Sequence, residues 1–190
     1  MEYFESEIFN KSSIKDVKII SDNHFNHNKI IEYCDRPFDN ITEMNKVMTY
    51  IWNVSVDEND IVLHLGDFSF GSKGSVKRIR DKLNGEIYMI KGNHDKHGVQ
   101  WYKDIGIYMI RDSFTVGGEY IFSHRPIKSV PKSMINIHGH VHNNVPLFRE
   151  SEFGNKHVNV SVENLGYKPI LFSKLIKLWD NREYFFEKTT

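Results

Sequence analysis

The side chains best suited to chemistry stand together in Gly92-Asn93-His94-Asp95, where an amide, an imidazole and a carboxylate follow the β-prone run Glu86-Ile87-Tyr88-Met89-Ile90. A polar turn with capping residues has the same local composition, so the neighbouring runs decide its meaning. Four more apolar runs end alike. Val17-Lys18-Ile19-Ile20 leads into Asp22 and His24, and Ile61-Val62-Leu63 leads through His64 to Gly66-Asp67. Tyr120-Ile121-Phe122-Ser123 delivers His124, and Ile135-Asn136-Ile137-His138 delivers Gly139-His140-Val141-His142. Ligands in open α/β sheets sit beyond the carboxyl ends of the strands, so these distant residues are expected to converge on one crevice. Carboxylate, imidazole and amide donors without a thiolate suit a pair of divalent transition ions (Mn²⁺ first, with Fe²⁺, Zn²⁺, Ni²⁺ or Co²⁺ as relatives) better than Ca²⁺ or a cysteine-based zinc site.

The elements that must position these residues alternate in the first half of the chain. A helix is expected over Asn26 to Cys34 with Asn26 as cap, another over Thr42 to Trp52 with Met44, Val47, Met48, Ile51 and Trp52 at helical spacing, and a basic one over Ser75 to Leu83. Strands alternating with helices predict βαβ units and a largely parallel sheet. After a short helix over His97 to Ile105 the chain becomes strand-rich. Ile107 to Val116 and Tyr120 to Ser123 flank Gly117-Gly118 as a hairpin, a strand follows at His157 to Val162, and Leu171 to Trp179 forms a closing helix outside the sheet. Met1 to Lys15 is read as an edge strand or an arm over the core.

At 190 residues the chain is expected to form a single domain spanning 1–190. Its 25 basic and 25 acidic side chains balance, which argues against an extended nucleic-acid surface or an anionic-membrane partner. No apolar run approaches the roughly 18 residues of a membrane span, and the acidic start is unlike a signal region. Cys34 is the only cysteine, which excludes an internal disulfide and favours a buried apolar role and a reducing, cytoplasmic setting.

In order, Asp-x-His, Gly-Asp, Gly-Asn-His-Asp, His and Gly-His-x-His resemble the motifs of the calcineurin-like metallophosphoesterase superfamily, from about Ile19 to Val162. The resemblance implies an α/β fold of two packed mixed β-sheets, a β-sandwich with helices on both outer faces. It also implies that Asp22, His24 and His142 hold one ion, that Asn93, His124 and His140 hold the other, and that Asp67 bridges them. His94 is similar to the family's catalytic histidine, with Asp95 placed to orient it. The implied reaction is hydrolysis of a phosphodiester or phosphomonoester, a small nucleotide or nucleic-acid end among the candidates. Its nucleophile is a hydroxide held between two metals roughly 3.5–4 Å apart.

One departure is Phe25, where many relatives carry glycine after the metal histidine, and it points to a small-phosphoesterase branch with phage-encoded members. Two residues keep two readings each. His27 either contacts substrate phosphate or belongs to a helix start, and Arg125 either grips phosphate through its fork or forms a structural ion pair. His64 and His138, inside apolar runs, read as buried supports. The competing function is a non-catalytic metal-binding scaffold for protein partners, which the fold alone does not exclude; His94 argues against it.

Overall fold

Hydrophobic runs of three or four residues, separated by helical segments, pair in parallel and end in register. In the computed structural model, which describes residues 8–110, 112–150 and 154–181, the first sheet holds β1 (Lys18–Ile20), β2 (Ile61–His64), β3 (Glu86–Met89) and β4 (Ile107–Met109), all parallel, with Ile170–Leu171 added antiparallel beside β1. Ile20 lies opposite His64 and His64 opposite Met89, so the loops after three strands start at one level. The second sheet is built from β5 (Ser113–Val116), β6 (Tyr120–Ser123), β7 (Ile135–His138), β8 (Phe148–Glu150) and β9 (Lys156–Asn159), in the order β5-β6-β7-β9-β8. Here β6, β7 and β9 run parallel, and β5 and β8 are antiparallel edges. The late strand Ile170–Leu171 is β10.

Alternation along the strands divides the core in two. Ile19, Leu63, Tyr88 and Ile90 face the second sheet and pack on Val116, Phe122, Ile137, Val158 and Val160. Ile20, Val62, Ile87, Met89 and Ile107 face the helices. Of these, α1 (Lys29–Tyr33) follows the first site loop, and α2 (Ile41–Ser55) buries Met44, Met48 and Trp52 at successive turns. The start of α2 is fixed by Asn40, whose side chain accepts from the Thr42 and Glu43 amides at 3.0 Å each. Val76 and Ile79 of α3 (Lys73–Arg80) and Tyr102 of α4 (Val99–Lys103) complete this layer. The last helix among the described residues, α5 (Phe172–Asp180), puts Phe172, Leu175 and Trp179 into the core between the sheets.

The two mixed sheets with helices match the α/β sandwich expected, with the helices seated unevenly. Four follow the first sheet, while the outer face of the second is met by the β6–β7 connection, where Ile127 N donates to buried Asn136 Oδ1 at 2.9 Å. The run Ile107 to Val116, read as one hairpin arm, is two strands. β4 belongs to the first sheet and β5 to the second, because the chain changes sheet between them, and a single β-prone run carries no mark of that crossing. The hairpin turn itself holds Gly117 and Gly118 at φ +60° and +67°. Residues 1–7 of the expected N-terminal arm lie outside the described residues; Phe9 and Ile14 cover the core from a turn and a 3₁₀ segment rather than an edge strand. Asn26 does not cap α1, which begins after Asn28; its amide bonds Asn45 and the Phe70 carbonyl instead. Among the described residues, no helix is long and apolar enough to cross a membrane.

Candidate metal centre

The two sheets are joined where the strands end. Ser21 N donates to Val160 O and Val162 N to Ser21 O, each at 3.0 Å, so the end of β1 continues into the segment after β9. Asp22 N to Gly66 O and His24 N to Asp67 O, also 3.0 Å each, bind the first site loop to the second. Gly139 N to His124 O, again 3.0 Å, does the same for the loops of the second sheet. Asp22, His24, Asp67, His140 and His142 all have positive φ, between 49° and 71°. Side-chain-bearing residues in this region cost about 1–3 kcal/mol each and persist where surrounding structure holds them, commonly at functional sites. Two glycines permit the close approach. A Cβ on Gly92 would lie 2.1 Å from Asp67 Oδ1, and one on Gly139 would lie 2.2 Å from Asp22 Oδ2.

These loops bring together two groups of donors. Asp22, His24 and His142 offer atoms all within 4.8 Å of one another, and so do Asp67, His124 and His140. Asn93 joins the second group, its Oδ1 2.9 Å from His124 Nε2. Asp67 stands between the two, with Oδ2 3.6 Å from His24 Nε2 and 3.4 Å from His124 Nε2. Its other oxygen accepts from His94 N at 2.8 Å. Donors bound to one ion at about 2.0–2.2 Å can lie no more than about 4.4 Å apart, a span that these groups reach with slight adjustment. Asp22 Oδ1 and both ring nitrogens of His24 are buried without a hydrogen-bond partner. Buried polar atoms left so are costly, and a divalent cation is the partner that such a donor set fits.

The electrostatics follow from burial and proximity. Burial raises the Asp22 carboxyl and holds the His24 ring well below its ordinary value. Burial also lowers His140, to about 4, with the charges of His124 and Arg125 adding to the effect. For Asp67 burial acts upward, but the bond and charge of His124 and the charge of His24 overcome it and keep the carboxylate ionised. His142 is pushed up to about 10: burial acts downward and is outweighed by Cys34, Glu163 and Asp22 beside the ring. Burial thus keeps the His24 and His140 rings neutral and able to bind a cation, while the groups around His142 favour its protonated form.

The remaining expectations divide. His94 is exposed, its ring 5.4 Å from that of His24 and 5.1 Å from Phe70. Asp95 does not orient it. Asp95 Oδ2 accepts from Asp67 N at 2.7 Å and Gly92 N at 2.8 Å, while Oδ1 meets Phe68 N and the Tyr102 hydroxyl, both at 3.3 Å. The carboxylate thus ties the loop after β2 to the loop after β3, because the amides there need an acceptor more than the solvated His94 ring does. His27 stacks on Phe70 at 4.2 Å between ring centroids and lies 5.7 Å from His24, beside the centre rather than in it. Arg125 is exposed and lines a cleft of about 430 Å³ with Lys91, Asn93 and His124. His64 is fully buried, with Nε2 2.9 Å from Asn23 Oδ1 and Nδ1 accepting from Gly66 N at 3.1 Å; it is a neutral support, as is buried His138. Three residues without a motif, Arg36, Glu163 and Ser161, also support the centre. Ser161 Oγ lies 2.9 Å from Asp22 Oδ2, and Glu163 Oε1 lies 3.0 Å from His142 Nδ1. The one available signal was position: Ser161 lies within the run His157 to Val162, Glu163 just past it, and Arg36 just before Pro37.

A family model described as calcineurin-like phosphoesterase matches residues 16–180. An uncharacterized protein of Methanocaldococcus jannaschii, MJ1445, is 40% identical over 178 residues, covering 87% of this chain and 92% of its own length. Among solved structures, the protein of unknown function AQ665 from Aquifex aeolicus superposes with a TM-score of 0.63 at 26% identity, over 85% of this chain and 98% of that one. With the family match spanning both sheets and every ligand loop, this chain belongs to the calcineurin-like phosphoesterases, a family of metal-dependent phosphoester hydrolases.

Proposed function

We propose that this protein is a dinuclear phosphohydrolase whose two ions are held by Asp22, His24 and His142 on one side and by Asn93, His124 and His140 on the other, with Asp67 shared. The observation that carries this reading is the place of Asp67, whose Oδ2 lies 3.6 Å and 3.4 Å from a histidine of each group. When bound, a pair of divalent ions activates water and screens charge on a phosphoryl group. The chain's own residues supply the rest. Asp67 stays ionised and fixes the two ligand groups relative to each other. His94, exposed beside His24, donates a proton to the leaving oxygen. Arg125 and Lys91, lining the cleft that adjoins Asn93 and His124, hold a phosphate oxygen or a neighbouring phosphate of the substrate. His27 with Phe70 forms a side wall.

The substrate class that fits is a small phosphodiester or phosphomonoester, such as a nucleotide or a nucleic-acid end. Balanced charge argues against tracking a long polyanion. The imidazole-rich donor set favours Mn²⁺ or a related borderline ion over Ca²⁺, and the lone buried cysteine suits a cytoplasmic setting. Protein stripped with a chelator should not hydrolyse a nitrophenyl phosphodiester, and Mn²⁺ should restore turnover far better than Ca²⁺. Full turnover by exhaustively stripped, metal-analysed protein, or none with any divalent ion on a phosphoester panel, would refute the proposal; the second result would favour a binding scaffold.

A further inference from the structure

Arg36 is buried at 4% exposure in the link after α1, 13 and 14 positions from two of the partners it meets and 127 from the third. Its Nη1 donates to Asn23 O and its Nη2 to Asp22 O, both at 2.8 Å. Nη2 and Nε also reach Glu163 Oε1, at 2.7 Å and 3.0 Å. That same oxygen lies 3.0 Å from His142 Nδ1. Accordingly, one guanidinium touches the backbone of the turn that carries Asp22 and His24 and, through one carboxylate, the ring of His142. All three ligands in that turn and ring have positive φ, so their backbone needs an external hold.

We infer, on the reading of the centre given above, that Arg36 and Glu163 are positioning residues for the Asp22, His24 and His142 half: Arg36 grips the turn and Glu163 sets the His142 ring with Nε2 free for an ion. The planar fork matters because its nitrogens meet two carbonyls and a carboxylate at once, a geometry that lysine cannot reproduce. A rival arrangement exists in the same place. Cys34, His142 and Glu163 offer donor atoms within 4.8 Å of one another, and Glu163 Oε2 is buried without a hydrogen-bond partner. A cation there would sit against the permanently charged guanidinium, which already occupies Glu163 Oε1. Positioning is the reading that this charge favours.

The test is calorimetric titration of stripped protein with Mn²⁺, with elemental analysis of bound metal and a melting temperature for each variant. Glu163→Ala and Arg36→Lys should weaken one of two binding steps by about 10–100-fold and leave the other unchanged, the usual effect of removing a ligand's supporting partner. Glu163→Gln keeps an oxygen for His142 Nδ1 and should recover most of the loss. Cys34→Ala should change neither step. A binding step lost in Cys34→Ala as fully as in Glu163→Ala would establish the rival triad and overturn the inference. So would two unchanged steps in Glu163→Ala, or equal weakening of both steps, which marks a general structural role. If Arg36→Lys does not fold, the Glu163 pair decides. A parent protein with no Mn²⁺ binding defeats the dinuclear reading itself; a parent that binds two ions and hydrolyses esters while Glu163→Ala matches it defeats the inference alone.

Discussion

The two halves of the centre are held by different means. In the half built on Asp22 and His24 both of these side chains are buried, three of their polar atoms have no hydrogen-bond partner, and a buried arginine–carboxylate pair backs the turn and the His142 ring. The half built on Asn93, His124 and His140 opens on a cleft, and His124 is set by a backbone carbonyl, its Nδ1 2.8 Å from Leu65 O. Interior charges need paired partners because desolvation is costly, whereas atoms facing water tolerate simpler support. On the proposed function, the contrast separates an anchoring half, which the protein pre-forms, from a half that would admit substrate.

The largest effect should come where the two halves face the reaction together. His94→Ala should keep both ions and slow turnover about 10²–10⁴-fold, the usual contribution of a positioned acid or base. The loss should be greater on an alkyl phosphodiester than on a nitrophenyl ester, whose leaving group departs without a proton. Asn93→Ala should instead lower occupancy of the open half. Comparing metal content and both rates in the two variants sharpens the contrast between ligand and acid; loss of metal in His94→Ala, or parental rates on both esters, would break it.

A smaller effect should appear in acid, on the buried side. His64, which braces Asn23, is held down by burial to about 3 against an ordinary value of 6.5. The unfolded chain takes up a proton as pH falls through 6.5 while the folded chain does not. This contribution to stability is therefore intact above 6.5 and is lost progressively between 6.5 and about 3. Stripped protein should lose about 1–2 kcal/mol from this residue between pH 6.5 and 5. Denaturant unfolding at the two pH values should show a shallower fall in His64→Asn, and an equal fall would remove His64 from the account.

Smallest of all, Arg125→Ala should raise KM by about 3–10-fold on a diester while kcat and metal content stay near parental, because an exposed charge on a substrate is worth about 1 kcal/mol. An unchanged KM would leave Arg125 outside the substrate cleft.

Much of this arrangement was readable in the chain. Short apolar runs ending in Asp, His or Asn marked the strands and the donor groups that the fold gathers at their ends, because burial demands the first and leaves polar side chains to the loops. The Met44, Met48 and Trp52 stripe likewise marked its helix. What the sequence hid depends on contacts made across the fold. Asp95 stands next to His94 in the chain yet serves the Gly92 and Asp67 amides, and neighbours in sequence gave the wrong partner. Arg36 and Glu163 are 127 positions apart, and neither lies in an apolar run that would have singled it out. β4 and β5 read as one strand because composition does not record a change of sheet.

Two ligand groups that share Asp67 should show in the Mn²⁺ stoichiometry of stripped protein, counted for the parent, His142→Ala and His140→Ala. The parent should bind two ions and each variant one. The ion left in His142→Ala should reside in the open half and the ion left in His140→Ala in the buried half, so that adding Asn93→Ala abolishes binding in the first and leaves it unchanged in the second. A parent that binds a single ion, or variants that each retain two, would contradict the sharing of Asp67.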